Sequence, residues 1–347
     1  MSGSAMNGMD ENSATRFVRE VLGINERISV RLDIIPRGGS DRAFYRCTMG
    51  ELKVILMQYG LERAENALYA DIGRFLKDIG IRVPDIIAHD SDRHLILMEY
   101  LGEKDLWSAR NEPWMTRNAL YRDTLSMAAK LHTFPLKNFP NGIGRLQPVF
   151  GPELYLCERC YFREQFVRGV CGLSMEVTYA VALEEELDAL ARRLIGTGLC
   201  LVHRDLQSQN VMVCDEKTFW IDFQGMRLGS LFYDLASLLY DPYVSFAEEE
   251  RLELLRYYAS LVPLGLEWTN IELRFREAAV QRLMQALGAY GFLGMKKGKT
   301  SFLSHIPRGM DHLTQAAAQN PNLPHLMDLL EKCRHKLPAS FTSFPDD

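Results

Sequence analysis

Apolar residues recur along this chain at two periods, and the change from one to the other divides it. Phe17, Val18, Val21 and Leu22 fall at helical spacing within a stretch running from about Ala14 to Leu22. Ile28 to Ile34 then alternates as a half-buried strand does. Gly38, Gly39, Ser40 and Asp41 interrupt it, Ala43 to Thr48 resumes an extended pattern, and Lys53 to Met57 continues it after a turn at Gly50-Glu51. A helix is expected from about Leu61 to Asp78, striped by Ala64, Leu68, Ile72, Phe75 and Leu76. Ile86 to Asp90 and His94 to Tyr100 read as a further antiparallel pair. Beyond Leu101 the period becomes mainly helical, over Trp114 to Leu131, Glu153 to Val170 and Tyr179 to Ile195, with three or four more helices between Ala247 and Leu337. The pattern predicts an α+β protein: a disordered leader over 1–12, a small antiparallel-sheet lobe over 13–101, and a larger, mainly helical lobe over 102–347.

One stretch of the second lobe returns to strand-like residues. Val211 to Cys214 and Thr218 to Ile221 are short, β-branched and aromatic, and Asp215-Glu216-Lys217 between them reads as a three-residue hairpin loop. That loop would set Cys214 against Thr218 and Asn210 against Asp222. Cross-strand neighbours on one face lie about 4.5–5.5 Å apart at Cβ, close enough for an amide oxygen and a carboxylate to share one hard cation such as Mg²⁺. Asp205 precedes Asn210 by five positions, after His203 and Arg204. Asp-x-x-x-x-Asn is the spacing of the kinase catalytic loop, in which the Asp takes the acceptor proton while the Asn and a later Asp hold metal. The fold this implies is two-lobed and protein-kinase-like.

Composition is that of an ordinary globular protein, 47% hydrophobic and 24% charged. The net charge of −5 argues against nucleic acid or an anionic membrane as the main partner. No uncharged apolar run approaches the ~18 residues of a membrane span. Met1 to Ser13 lacks the apolar segment of a secretory signal, so a cytoplasmic location is expected; the chain is also expected to be a monomer. Seven cysteines do not suggest a disulfide scaffold, and Cys157 and Cys160 are expected as reduced thiols on a helix.

Val202 to Met212, Ile221-Asp222-Phe223-Gln224, Gly229 and Tyr233 to Asp241 resemble the aminoglycoside phosphotransferase superfamily. Within it they are most similar to the bacterial branch of N-acetylmuramate/N-acetylglucosamine anomeric sugar kinases. Glu65-Asn66, Glu99 to Gly102, Asp105-Leu106-Trp107 and Gln281 to Met284 extend the resemblance over most of residues 14–330. The resemblance implies an ATP- and Mg²⁺-dependent kinase of a small molecule, an amino sugar in this branch. Asp205 would be the base, and Asn210 and Asp222 the Mg²⁺ ligands. Gly38, Gly39, Ser40 and Asp41, with Arg42, would form the phosphate loop. Glu99 and the Leu101 backbone would meet adenine, Asp234 would anchor the catalytic loop or cap its helix, and Arg282 and Tyr290 would face the acceptor.

The sequence departs from the kinase pattern at one position. Kinases carry a lysine on the third strand for the α- and β-phosphates, and Met57 stands there, leaving Arg42, Arg46 and Lys53 as candidate replacements. That loss motivates the alternative of a pseudokinase-like module that binds nucleotide without turnover. Another alternative is an aminoglycoside or choline kinase, which would want an acidic or aromatic cleft. The acidic runs Glu184 to Glu186 and Glu248 to Glu250 read instead as solvated helix faces. A protein kinase is disfavoured because no Ala-Pro-Glu follows Asp222.

Overall fold

The computed structural model describes residues 11–36, 42–144, 146–338 and 341. The Gly38, Gly39, Ser40 and Asp41 stretch expected to cradle phosphate lies outside them. Helix α1 (Glu11–Leu22) leads into a five-stranded antiparallel sheet of β1 (Arg31–Ile35), β2 (Arg42–Met49), β3 (Leu52–Tyr59), β4 (Ile86–Asp90) and β5 (Leu95–Glu99), in spatial order β1-β2-β3-β5-β4. Side chains alternate between its faces. Tyr45, Cys47, Val54, Leu56 and Leu97 point outward and are buried under Ala14, Phe17 and Val18 of α1. Met57, Tyr59, Ile96 and Met98 point inward, against α2 (Tyr69–Asp78) and the main core. The expected helix over 61–78 divides here: residues Ala64–Leu68 form a tighter 3₁₀ turn, and Asn66 donates to the Gly60 carbonyl at 3.1 Å.

The remainder is built on α3 (Trp114–His132), α4 (Pro152–Tyr161), α5 (Val177–Ile195), α6 (Leu231–Leu239), α7 (Glu248–Leu261), α8 (Trp268–Gly291), α9 (Ile306–Ala318) and α10 (Pro324–Lys336). Asp105 caps no helix; its carboxylate accepts from the Ser108 N–H at 2.8 Å in a turn ahead of α3. The helix expected over 153–170 widens into a π-helix at Phe162–Arg168, where it meets α8 at close range. A Cβ on Gly291 of α8 would lie 2.5 Å from the Gln165 carbonyl, so only glycine permits that approach. Cys157 and Cys160 lie on α4 as free thiols. Among the described residues no helix is long and apolar enough to cross a membrane.

Short strands carry the motif residues: β6 (Cys200–Val202) pairs with β9 (Arg227–Gly229), and β7 (Val211–Cys214) pairs with β8 (Lys217–Trp220). The hairpin register differs by one from the sequence reading. Cys214 faces Lys217, not Thr218, because Asp215 and Glu216 alone make the turn, both at positive φ (48° and 59°). Two such residues give the I′ turn whose twist matches the strands. A one-residue slip moves every later partner, so Asn210 stands level with Ile221, whose N–H donates to the Asn210 carbonyl at 3.0 Å. Asn210 and Asp222 are therefore not cross-strand neighbours.

Candidate functional site

Asp205, Asn210 and Asp222 nevertheless reach one place. All three line a single cleft of about 1410 Å³ between the sheet and the helices. Ile221 and Asp222 both line it although they are consecutive, which an extended strand forbids. The chain achieves this by leaving strand geometry at Asp222, which is left-handed (φ 64°, ψ 30°) and opens a 3₁₀ turn over Phe223–Gly225.

The loop bearing Asp205 is held from beneath. Arg204 has φ 80°, and its N–H and that of His203 donate to the two oxygens of the buried Asp234 on α6 at 2.8 and 2.6 Å. Asp234 thus anchors the loop, with His132 against it at 3.2 Å. The His203 ring spans the site: Nε2 donates to the Ile221 carbonyl at 3.0 Å, and Nδ1 accepts from the Asp205 N–H at 3.3 Å. That pair of bonds selects the neutral tautomer with the proton on Nε2. Asn210 Nδ2 donates to the Asp205 carbonyl at 2.9 Å, leaving Oδ1 as the end of the amide offered to the cleft.

Two further groups escaped the sequence reading or were reached only through resemblance. Asp241, seven positions after Asp234, accepts from the Ser208 N–H at 2.7 Å and the Tyr243 N–H at 3.0 Å. The second carboxylate, just past the end of α6 (Leu231–Leu239), was a signal that the sequence carried. Burial pushes the Asp241 pKa up to about 6, against hydrogen bonds from Ser208 and Tyr243. A carboxyl with the higher pKa in the folded state adds stability that is complete below 3.8 and is lost as pH rises through about 6. Asp241→Asn, which does not titrate, should therefore gain on the wild type by about 1 kcal/mol in unfolding free energy from about pH 5 to about pH 7.5. Denaturant titrations at the two pH values check this, and a pH-independent difference would contradict it.

The second group is Arg282 of α8, whose guanidinium bonds Asp205 Oδ1 at 2.6 Å and Ser237 Oγ at 2.9 Å, and also Gln285. Burial is the largest influence and works against its charge, but Asp205, Tyr233, Tyr290 and Glu158 together prevail and raise the Arg282 pKa. On the sheet side Arg42, nearly buried, ion-pairs with Asp222, and Gln224 Nε2 donates to the same carboxylate oxygen at 3.1 Å. Burial opposes the charge on Asp222; Arg42 and Gln224 prevail and hold its pKa below the ordinary carboxylate value. Of the other candidate cations, Arg46 pairs with Asp33 and Glu103 at the cleft rim. Lys53 lies over the Tyr100 ring at 5.7 Å, outside the cleft lining.

Glu99 and Leu101 also line the cleft. The Glu99 side chain is turned back to accept from the Asp85 N–H at 3.1 Å. Leu101 packs with Met212 and Ile221, and with Ile35, Ile55 and Met98 these make an apolar slot. The opposite end is formed by Tyr161, Tyr243, Arg282, Gln285, Tyr290, Phe292, Lys297, Lys299 and Phe302. Arg282 and Tyr290 stand together at this end. The Glu184–186 and Glu248–250 runs lie elsewhere; Glu185 and Glu249 are exposed, while the other four are engaged. Glu184 pairs with Arg159, Glu186 accepts N–H groups at the start of α10, and Glu248 and Glu250 pair with Arg276 and Arg117.

An antiparallel sheet closed over a helical part, with the catalytic-loop spacing in the cleft between them, defines the class of two-lobed kinase-like folds. The likeness to solved structures agrees. The gentamicin complex of APH(2")-IIa superposes with a TM-score of 0.61 at 16% identity, covering 89% of this chain and 97% of that one. Choline kinase from Cryptosporidium parvum gives 0.60 at 15%, covering 93% and 100%. The model of the phosphotransferase enzyme family matches residues 32–271, and the chain belongs to that family, as a small-molecule kinase. It is similar to the N-acetylmuramate/N-acetylglucosamine kinase of Pseudomonas aeruginosa, 23% identical over 308 residues, covering 86% of this chain and 88% of that protein. The kinase of the same name from Neisseria meningitidis is 25% identical over 297 residues, covering 83% and 86%.

Proposed function

We propose that this phosphotransferase moves the terminal phosphoryl group of ATP to a hydroxyl of an amino sugar such as N-acetylmuramate or N-acetylglucosamine. Residues 13–101 and 102–347 would act as the two lobes. The observation that carries the acceptor class is the chemistry of the far end of the cleft. Among the described lining residues from 161 onward, Asp205 and Asp222 are the only carboxylates, and both have chemical roles in this reading. Arg282, Lys297 and Lys299, with a ring of tyrosines and phenylalanines, suit a neutral or anionic sugar and repel a polycation. The names of the sequence relatives point the same way. The volume supports a two-substrate site, since a pocket for one small ligand spans about 300–1,000 Å³.

In this reading ATP lies with its base in the apolar slot beside Glu99 and Leu101 and its phosphates toward Arg42 and the Gly38–Asp41 stretch. Magnesium takes oxygen donors, commonly one or two carboxylates together with substrate phosphates. The Asn210 amide oxygen and the Asp222 carboxylate, lining one cleft, meet that donor set. A bound ion would neutralise phosphate charge there. Asp205 receives the proton of the acceptor hydroxyl, with its carboxylate oriented by Arg282 and its backbone by His203 and Asn210. The geometry is that of a positioning device, and phosphoryl transfer demands little else from a protein.

The test is ADP release from Mg-ATP with each acceptor in turn: N-acetylmuramate, N-acetylglucosamine, gentamicin and choline. Turnover with the acetylated sugars and none with the two cations is expected. A preference for gentamicin or choline would refute the acceptor assignment. Melting raised by ATP without turnover on any acceptor would favour the non-catalytic module.

A further inference from the structure

The third-strand lysine that kinases set against their phosphates is absent, and the sheet register indicates where the charge has gone. Met57 holds the lysine position, fully buried, opposite Phe44 on β2 and Ile96 on β5. Directly opposite residues share a face of the sheet, as do residues two apart on one strand. Arg42 is opposite Tyr59 and Arg46 opposite Ile55, so both arginines share a face with Phe44, Met57 and Tyr59 and both are diagonal to Met57; Arg46 is taken up by Asp33 and Glu103. Diagonal neighbours are about 7–8 Å apart, within reach of a long side chain. Arg42 extends into the cleft over Phe44, its guanidinium carbon 5.7 Å from the ring centroid, and meets Asp222. It crosses from sheet to helical lobe to do so, with only 7% of its side chain exposed.

We propose that Arg42 is an exchangeable cation that does from β2 what lysine does from β3 in other kinases. In the nucleotide-free protein it neutralises Asp222; with nucleotide present it turns to the terminal phosphates of the nucleoside triphosphate. The inference rests on the ATP-kinase reading above. Its chemical basis is that the Asp222 oxygen engaged by Arg42, Oδ1, cannot serve the arginine and a divalent ion equally well. A guanidinium released beside phosphate, moreover, finds a partner whose geometry fits its fork. Met57 then needs no charge and fills the core.

Calorimetric titration of Arg42→Ala and Arg42→Gln tests this without relying on turnover. Glutamine keeps a polar stem able to donate to Asp222, which guards against a variant that fails only by misfolding; circular dichroism checks both. With EDTA present, ATP is expected to bind each variant at least about tenfold more weakly than wild type, the scale of one charge-assisted hydrogen bond. Mn²⁺ alone is expected to bind the variants more tightly, because Asp222 has lost its internal competitor. Folded variants that bind metal-free ATP as well as wild type would overturn the proposal and leave Arg42 a structural partner of Asp222. A wild type that binds no ATP would instead refute the function on which the proposal rests.

Discussion

Asp205→Asn is expected to lower kcat by about 10²–10⁴-fold, the usual contribution of a positioned base, while nucleotide affinity stays within a factor of a few. Asparagine is the informative replacement because its amide oxygen can still accept from Arg282, which bonds Asp205 Oδ1 at 2.6 Å in the wild type. Alanine would leave a buried guanidinium short of a partner and confuse lost chemistry with lost packing. The effect should fall on kcat because the proton moves only as the phosphoryl group is transferred. Initial-rate kinetics with parallel nucleotide titration check this. Near-normal turnover in the asparagine variant would remove Asp205 from the role given to it.

Asp234→Ala is expected to damage folding and catalysis together. The carboxylate is fully buried and accepts from the His203 and Arg204 N–H groups at 2.6 and 2.8 Å, with His132 at 3.2 Å. Removing it strands two backbone donors at a cost of ~1–3 kcal/mol each, so a total loss of about 3–5 kcal/mol is expected. Arg204 is held at φ 80°, and without its anchor the loop has little reason to keep Asp205 in the cleft. Denaturant unfolding gives the first effect and kcat the second. A variant within about 1 kcal/mol of wild type would show that the loop is held by something else.

The physical range of each signal explains what could be read from the chain. Strand and helix periods are local, and they placed the five strands of the sheet and the helices that follow. The Asp205–Asn210 spacing is local too, since both residues lie on one loop. The hairpin register was not legible, because it depends on Asp215 and Glu216 both taking positive φ (48° and 59°). Residues other than glycine, asparagine and aspartate seldom do this. The convergence of Asp222 on the site survived that error for a reason equally hidden, a single left-handed residue at the end of the strand. Partners distant in sequence were the least visible. Arg42 is separated from Asp222 by 180 positions and Arg282 from Asp205 by 77. Arg42 could be named only as one of three candidate cations, and its ion pair with Asp222 distinguishes it from Arg46, which pairs with Asp33 and Glu103, and from Lys53, which lies outside the cleft lining.

The most direct test of the account is ³¹P NMR of the wild-type protein incubated with Mg-ATP and N-acetylmuramate, with Asp205→Asn alongside. A new sugar-phosphate resonance growing in step with ADP, and growing far more slowly with the variant, is the predicted result. ATP hydrolysed to free phosphate, or a sugar phosphate formed equally fast by both proteins, would contradict it.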